Sequence, residues 1–181
     1  MNIIRILGLI VSLFLVGFLV WSFFLPSEFY TENQKVINRN KEDVIEAIMD
    51  MNTWEYWQIP DSNITNKVFS RNGVMDSLVW TGQAGVSGMI VRDSIYNSSK
   101  GIDSIRFRYQ YANQPDDYRY GIMEFNTVDS NNTKIIWTHR HDVGMNPIMR
   151  FALSSDAGIS QWERSFDSTL VNFKEYIESR D

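Results

Sequence analysis

From Ile6 to Leu25 the chain runs without one ionisable side chain. A helix of about 20 residues, rising roughly 1.5 Å per residue, crosses roughly 30 Å, the hydrocarbon thickness of a bilayer. The remaining sequence is polar and mixed, so the chain reads as one soluble domain held at a membrane by a single helix. A cleaved secretory signal is the competing reading. Signal cores usually run about 7–15 residues and close on small side chains. This run is longer and closes on Trp21-Ser22-Phe23-Phe24-Leu25-Pro26, bulky where a peptidase needs small residues. Trp21 stands where interfacial aromatics usually lie, and Pro26 can stop a helix. The expectation is a transmembrane anchor over residues 1–26 and a domain over 27–181. Arg5 and the terminal amine favour an inner N-terminus, with the domain on the extracytoplasmic side, although Lys35, Arg39 and Lys41 lie near the other end.

All 22 acids and 16 of the 17 bases fall beyond residue 26, giving the domain a formal charge of about −6. That balance excludes nucleic acid as a partner, since phosphate binding needs concentrated Lys and Arg. It also offers no polybasic patch to anionic headgroups. With Cys 0 there is no disulfide, thiolate nucleophile or cysteine metal site. Aromatics make up 14% of the chain, which points to a bulky core or a ring-lined pocket.

Glu28 to Asn38 alternates loosely and reads as a first strand. Asn40 suits an N-cap, and Val44, Ala47, Ile48 and Met51 recur at helical spacing. Thr53 is placed to cap a short second helix carrying Trp54 and Trp57, and Pro60 with Asp61, Ser62 and Asn63 ends it in a loop. Six strands are then expected: Lys67–Ser70, Ser77–Thr81, Val86–Tyr96, Ile102–Tyr111, Tyr118–Val128 and Thr133–Val143. The breaks between them, Arg71 to Gly73, Gly82 to Gly85, Asn97 to Gly101, Asn113 to Asp117 and Asp129 to Asn132, are rich in turn formers. Ile105, Phe107, Tyr109 and Tyr111 share one strand face, as do Ile135, Trp137, His139 and His141. Asn146-Pro147 opens a short helical piece, Asp156 and Gly158 mark a break, and Ile159, Trp162, Phe166, Leu170, Phe173 and Ile177 trace one apolar stripe along a long last helix.

Strand, two short helices, six strands and a long terminal helix is the order of an α+β helix-grip fold. The opening from Val36 to Trp57, VINRNKEDVIEAIMDMNTWEYW, resembles that of the SRPBCC superfamily of START-like and polyketide cyclase/dehydrase-like proteins. Trp80-Thr81-Gly82-Gln83-Ala84-Gly85 is similar to the family's glycine-containing hairpin, Thr133 to Thr138 to its last strand, and Asn146 to Phe151 to the approach to its final helix. Together these cover residues 28–179. The resemblance implies a curved antiparallel sheet gripping the C-terminal helix around a deep apolar cavity. Its members bind lipids, sterols, polyketides or other apolar ligands, and a minority catalyse cyclisation or hydrolysis without a shared catalytic motif.

Phe107, Tyr109, Tyr111, Tyr120, Trp137, His139, Trp162 and Phe166 are the candidates for lining that cavity, the tyrosines because a ring can bury a ligand while its hydroxyl orients it. His139 or a tyrosine is the candidate acid/base, but for both histidines the plainer expectation is the solvated, frayed end of a strand. Two histidines two apart begin a metal site without completing one, since zinc needs three or four ligands; no metal or cofactor is expected. The first functional expectation is a membrane-anchored module holding an apolar small molecule or lipid. A cyclase- or hydrolase-type enzyme in the same cavity is the alternative, and an interaction domain with a filled core is a third.

Overall fold

Asn40 starts a helix just after a strand: its side chain accepts from the Asp43 amide at 2.9 Å, the N-cap geometry that a strand-to-helix corner needs. The computed structural model describes residues 3–58, 63–69, 75–82, 87–99, 101–112 and 114–180. A helix α1 (Ile3–Ser22) leads through a short link to β1 (Glu28–Ile37). Helix α2 (Lys41–Met49), a 3-10 turn (Met51–Thr53) and the single-turn α3 (Trp54–Trp57) come next. Then come β2 (Asn63–Phe69), β3 (Met75–Thr81), β4 (Ser87–Ser98), β5 (Gly101–Tyr111), β6 (Gln114–Asp129) and β7 (Asn132–Asp142), and finally α4 (Pro147–Leu153) and α5 (Asp156–Glu178).

The strands form a 7-stranded sheet in the order β1-β7-β6-β5-β4-β3-β2, antiparallel throughout. This is the α+β helix-grip arrangement. Register lines up inward-facing residues in rows across the sheet. One row runs Phe29, His141, Arg119, Tyr109, Ile90, Leu78, and the next Thr31, His139, Gly121, Phe107, Arg92. A third holds Asn33, Trp137, Met123 and Ile105. The first row lies nearest the end of the sheet at which α1 leaves.

Helix α5 crosses this face beside β1. Lys35 bridges to Asp167 at 2.9 Å, Lys174 donates to the Val36 carbonyl at 2.7 Å, and Glu178 accepts from the Asn38 amide at 2.6 Å. At its far half Leu170, Phe173 and Ile177 are buried. Trp54 and Trp57 close the core there: Trp54 meets Phe107 with ring centres 4.7 Å apart, and Trp57 meets Phe173 at 4.8 Å. Both indole N–H groups are satisfied, by the Ile48 carbonyl at 2.9 Å and the Thr53 hydroxyl at 3.3 Å.

Several expectations are corrected. Thr53 makes no side-chain cap; its hydroxyl donates back to the Asp50 and Ala47 carbonyls, while Asp50 caps the preceding turn. The break between α4 and α5 falls at Ser154 and Ser155, not at Asp156 and Gly158. Ser155 is the N-cap of α5, accepting from the Gly158 amide at 3.1 Å, so both residues sit in its first turn. β6 begins at Gln114, so the backbone of Pro115 to Asp117 is strand and not turn. Helix α1 ends at Ser22, before Pro26, with Phe23 to Leu25 in tightened turns. The loop at Pro60 to Ser62, the turn at Arg71 to Gly73 and most of the Gly82 to Gly85 hairpin lie outside the described residues.

Candidate functional site

The apolar stripe of α5 does two jobs. Its far half is core, but Trp162 and Phe166 are only half-buried, and between them and the sheet lies a cavity of about 380 Å³. The sheet side of its wall comes from Trp80, Ile90, Tyr109, Tyr111, Arg119 and His139, the helix side from Trp162, Ser165, Phe166 and Thr169, and one corner from Gln58. Two glycines make this space. A Cβ on Gly121 would stand 2.9 Å from Trp137 Nε1 and 3.0 Å from Tyr109 Cε2, and one on Gly88 only 2.7 Å from Trp80 Cζ2. Glycine inside a strand commonly marks such a close approach. Here it lets large rings from neighbouring strands lean across the sheet surface.

His139 is the centre of the aromatic cluster. Its imidazole stacks on Phe166 with ring centres 3.3 Å apart, and lies 4.4 Å from Trp137 and 5.9 Å from Tyr109. The solvated strand end expected for the histidines is overturned: His139 and His141 are each 2% exposed, because α5 passes over that end of β7. Burial pushes the His139 pKa well below the usual histidine value, so the ring is neutral. Burial likewise raises the Tyr109 hydroxyl well above the ordinary tyrosine range, with the neighbouring Tyr111 adding to it. His139 Nε2, Tyr109 Oη, Trp80 Nε1 and Gln58 Oε1 are buried without a hydrogen-bond partner in the protein. Buried polar atoms are nearly always paired, so this group of donors and acceptors can receive a polar group of a bound molecule. Arg119 sets a guanidinium over the Tyr111 ring at 4.5 Å on the same wall. Among the described residues no group of three or more His, Asp or Glu side chains could hold a metal ion.

Of the residues chosen from sequence, Tyr109, Tyr111, His139, Trp162 and Phe166 come together on the cavity wall. Phe107 and Trp137 do not. Both are fully buried in the packed core behind it, Phe107 against Trp54 and Trp137 against His139 and Phe166. Tyr120 is corrected outright. Gly121, Met123 and Phe125 face the helix, so period two sends Tyr120 to the opposite face, where it lies under Arg106 at 4.3 Å in a separate groove. Sequence reasoning missed Gln58, Trp80, Ile90, Arg119 and Thr169. The parity of Met123 and Phe125 carried the signal for Arg119, and the lone strand glycines that for Trp80.

No protein-family model and no curated protein sequence matches the chain. Solved structures do. The chain is similar to the Zhui aromatase/cyclase from Streptomyces sp. R1128, with TM-score 0.57 and 13% identity, over 84% of this chain and 95% of that one. It is similar to a conserved protein from Geobacillus kaustophilus, with TM-score 0.59 and 11% identity over 83% and 95% of the two chains. DynU16, from the dynemicin biosynthetic locus, matches with TM-score 0.56 and 11% identity over 83% of this chain and 47% of its own. At such identities the likeness is one of fold.

Proposed function

We propose that this chain is a membrane-anchored binding module, α1 spanning the bilayer and the domain beyond residue 26 holding an apolar small molecule or lipid between sheet and α5. The domain stands on the extracytoplasmic side, with Arg5 at the inner end of the helix. The cavity carries the reading. Its volume of about 380 Å³ falls among ligand pockets, rings of Trp80, Tyr109, Tyr111, His139, Trp162 and Phe166 line it, and four of its buried polar atoms, on Gln58, Trp80, Tyr109 and His139, are unpartnered. That is the pattern of a site that buries an apolar body and orients one polar group. For α1, support comes from length and composition: Ile3–Ser22 is long and apolar enough to cross a membrane, and its side chains are exposed apart from Phe18 and Ser22.

A fluorescent long-chain fatty acid and a fluorescent sterol, titrated into full-length protein in detergent, test the proposal. Saturable binding of at least one is expected. Thr169→Trp should abolish it by filling space from the helix side, since Thr169 lines the cavity and its hydroxyl only bonds back to the Ser165 carbonyl. If neither probe binds at micromolar levels, the filled-core interaction domain replaces the binder.

The neutral imidazole of His139, together with the aromatase/cyclase among the structural neighbours, keeps a second reading, an enzyme with His139 as general base. His139→Ala separates the two. A binder keeps most of its affinity, whereas an enzyme loses about 10²–10⁴ in turnover with binding nearly unchanged.

A further inference from the structure

Large apolar side chains exposed on the domain are mostly scattered, as on any protein surface. Met145, Ile148 and Phe151 are different. They lie three apart, on and just before α4, and are 67%, 69% and 47% exposed. The Phe151 ring packs against two side chains of α1, Phe18 at 5.8 Å and Trp21 at 5.7 Å. Phe23 and Phe24, in the link after α1, are exposed too.

Arg150 fixes this arrangement. Buried on the other side of α4, its guanidinium donates to the Gly144 carbonyl at 2.7 Å and to the Ser22, Phe23 and Leu25 carbonyls at 3.3–3.4 Å. These are carbonyls at the C-terminal end of α1, where a helix leaves acceptors open and favours a cation. Helix α4 is therefore pinned beside the end of α1. If α1 spans a bilayer with Trp21 at its interface, a ring touching both Phe18 and Trp21 sits at interfacial depth too.

The cavity lies at this same end. Its wall takes Arg119, Tyr109 and Ile90 from the row nearest the departure of α1, and Tyr111 and Trp80 from the pairs beyond that row toward the same end. The opposite end is sealed by Trp54, Trp57, Phe107 and Phe173.

We propose that Met145, Ile148 and Phe151 form, with the end of α1, a surface embedded in the interfacial layer of the bilayer, seating the open end of the cavity against the membrane. The occupant of this apolar patch is lipid, because the patch is continuous with the apolar surface of α1. The inference rests on the reading of α1 as a membrane span. A binding site so placed takes up its ligand from the bilayer.

The chain has no cysteine of its own, so single-cysteine variants of the full-length protein take one fluorescent label each. Leu13→Cys, Ile148→Cys and Val128→Cys, reconstituted in phosphatidylcholine vesicles, are compared using lipids with a quenching doxyl group near the headgroup or deep in the acyl chain. The label at 13 should lose most of its emission to the deep quencher and the label at 148 to the shallow one. The label at 128, beside the β6–β7 turn at the far end of the sheet, should lose none. A label at 148 as bright as that at 128, with 13 quenched, overturns the proposal while the anchor stands. An unquenched label at 13 overturns both. Loading is tested by Ile148→Glu, which should slow uptake of a vesicle-borne fluorescent fatty acid several-fold and leave its affinity in detergent unchanged. Unchanged uptake from vesicles would remove the membrane-facing mouth.

Discussion

His139 carries much of what is unusual here. It is a titratable group held neutral among Phe166, Trp137 and Tyr109, with a ring nitrogen that finds no protein partner. Because its folded pKa is depressed by burial, the unfolded chain binds the proton more readily. Stability from this group is fully present above about pH 6.5, the unperturbed value, and is lost as pH falls from there toward the folded value. Thermal unfolding followed across pH 7 to 5 should therefore show a falling midpoint, in a window where carboxylates hardly titrate. His139→Phe keeps the stack on Phe166 and removes the proton, so its midpoint should be much flatter over the same window. The charge state of this residue was not legible in the sequence. Strand parity put His139 and His141 on the correct face, but only the passage of α5 over that end of β7 makes the site dry.

Helix α5 shows how a single periodic pattern hides two environments. The stripe from Ile159 to Ile177 is continuous in sequence, and nothing in its spacing separates Trp162 from Phe173. In the fold Trp57 of α3 packs on Phe173 and closes the second half, so Leu170, Phe173 and Ile177 are core while Trp162 and Phe166 edge a cavity. Phe173→Ala should cost about 3–5 kcal/mol, the range for large aromatics removed from a core, and Trp162→Ala much less. Denaturant unfolding of the two variants measures the difference; equal losses would mean that the helix is packed alike along its length. The elements themselves were largely legible, because alternation and 3.6-residue periodicity report burial directly. Chemistry alone, an aromatic ring with a polar tip, marks Tyr120 as a cavity residue; the parity of Met123 and Phe125 is what fixes its face. The start of β6 went astray because Pro115, Asp116 and Asp117 are turn formers that an edge of pairing can still accommodate.

The core and α1 are distinct parts of the molecule. Every residue of the main hydrophobic cluster, from Ile37 to Ile177, lies beyond the link after α1. A fragment beginning at Ser27 should therefore unfold cooperatively, as seen by circular dichroism, while full-length protein should resist alkaline carbonate extraction from membranes. Full-length protein that washes free would remove the anchor, and a fragment without a cooperative transition would show that α1 is needed for the fold. The fragment would also leave Arg150 without the Ser22, Phe23 and Leu25 carbonyls and bare the Phe151 ring, so it should be less soluble than its charge suggests. The coupling of α1 to the domain lies in long-range contacts such as Phe18 with Phe151, which no local pattern announces.

The link between α1 and β1 spans only residues 23–27, and at about 3.3–3.6 Å per residue even a fully stretched chain of that length reaches less than about 20 Å. With Arg150 holding its near end, the domain has almost no leash. A head on a long tether samples a hemisphere of solvent and can meet molecules arriving from any direction. With α1 spanning a bilayer, as proposed, this one would stay at nearly fixed height and attitude; a ligand would then reach it by lateral diffusion, and the relevant concentration would be molecules per unit area of membrane rather than per unit volume.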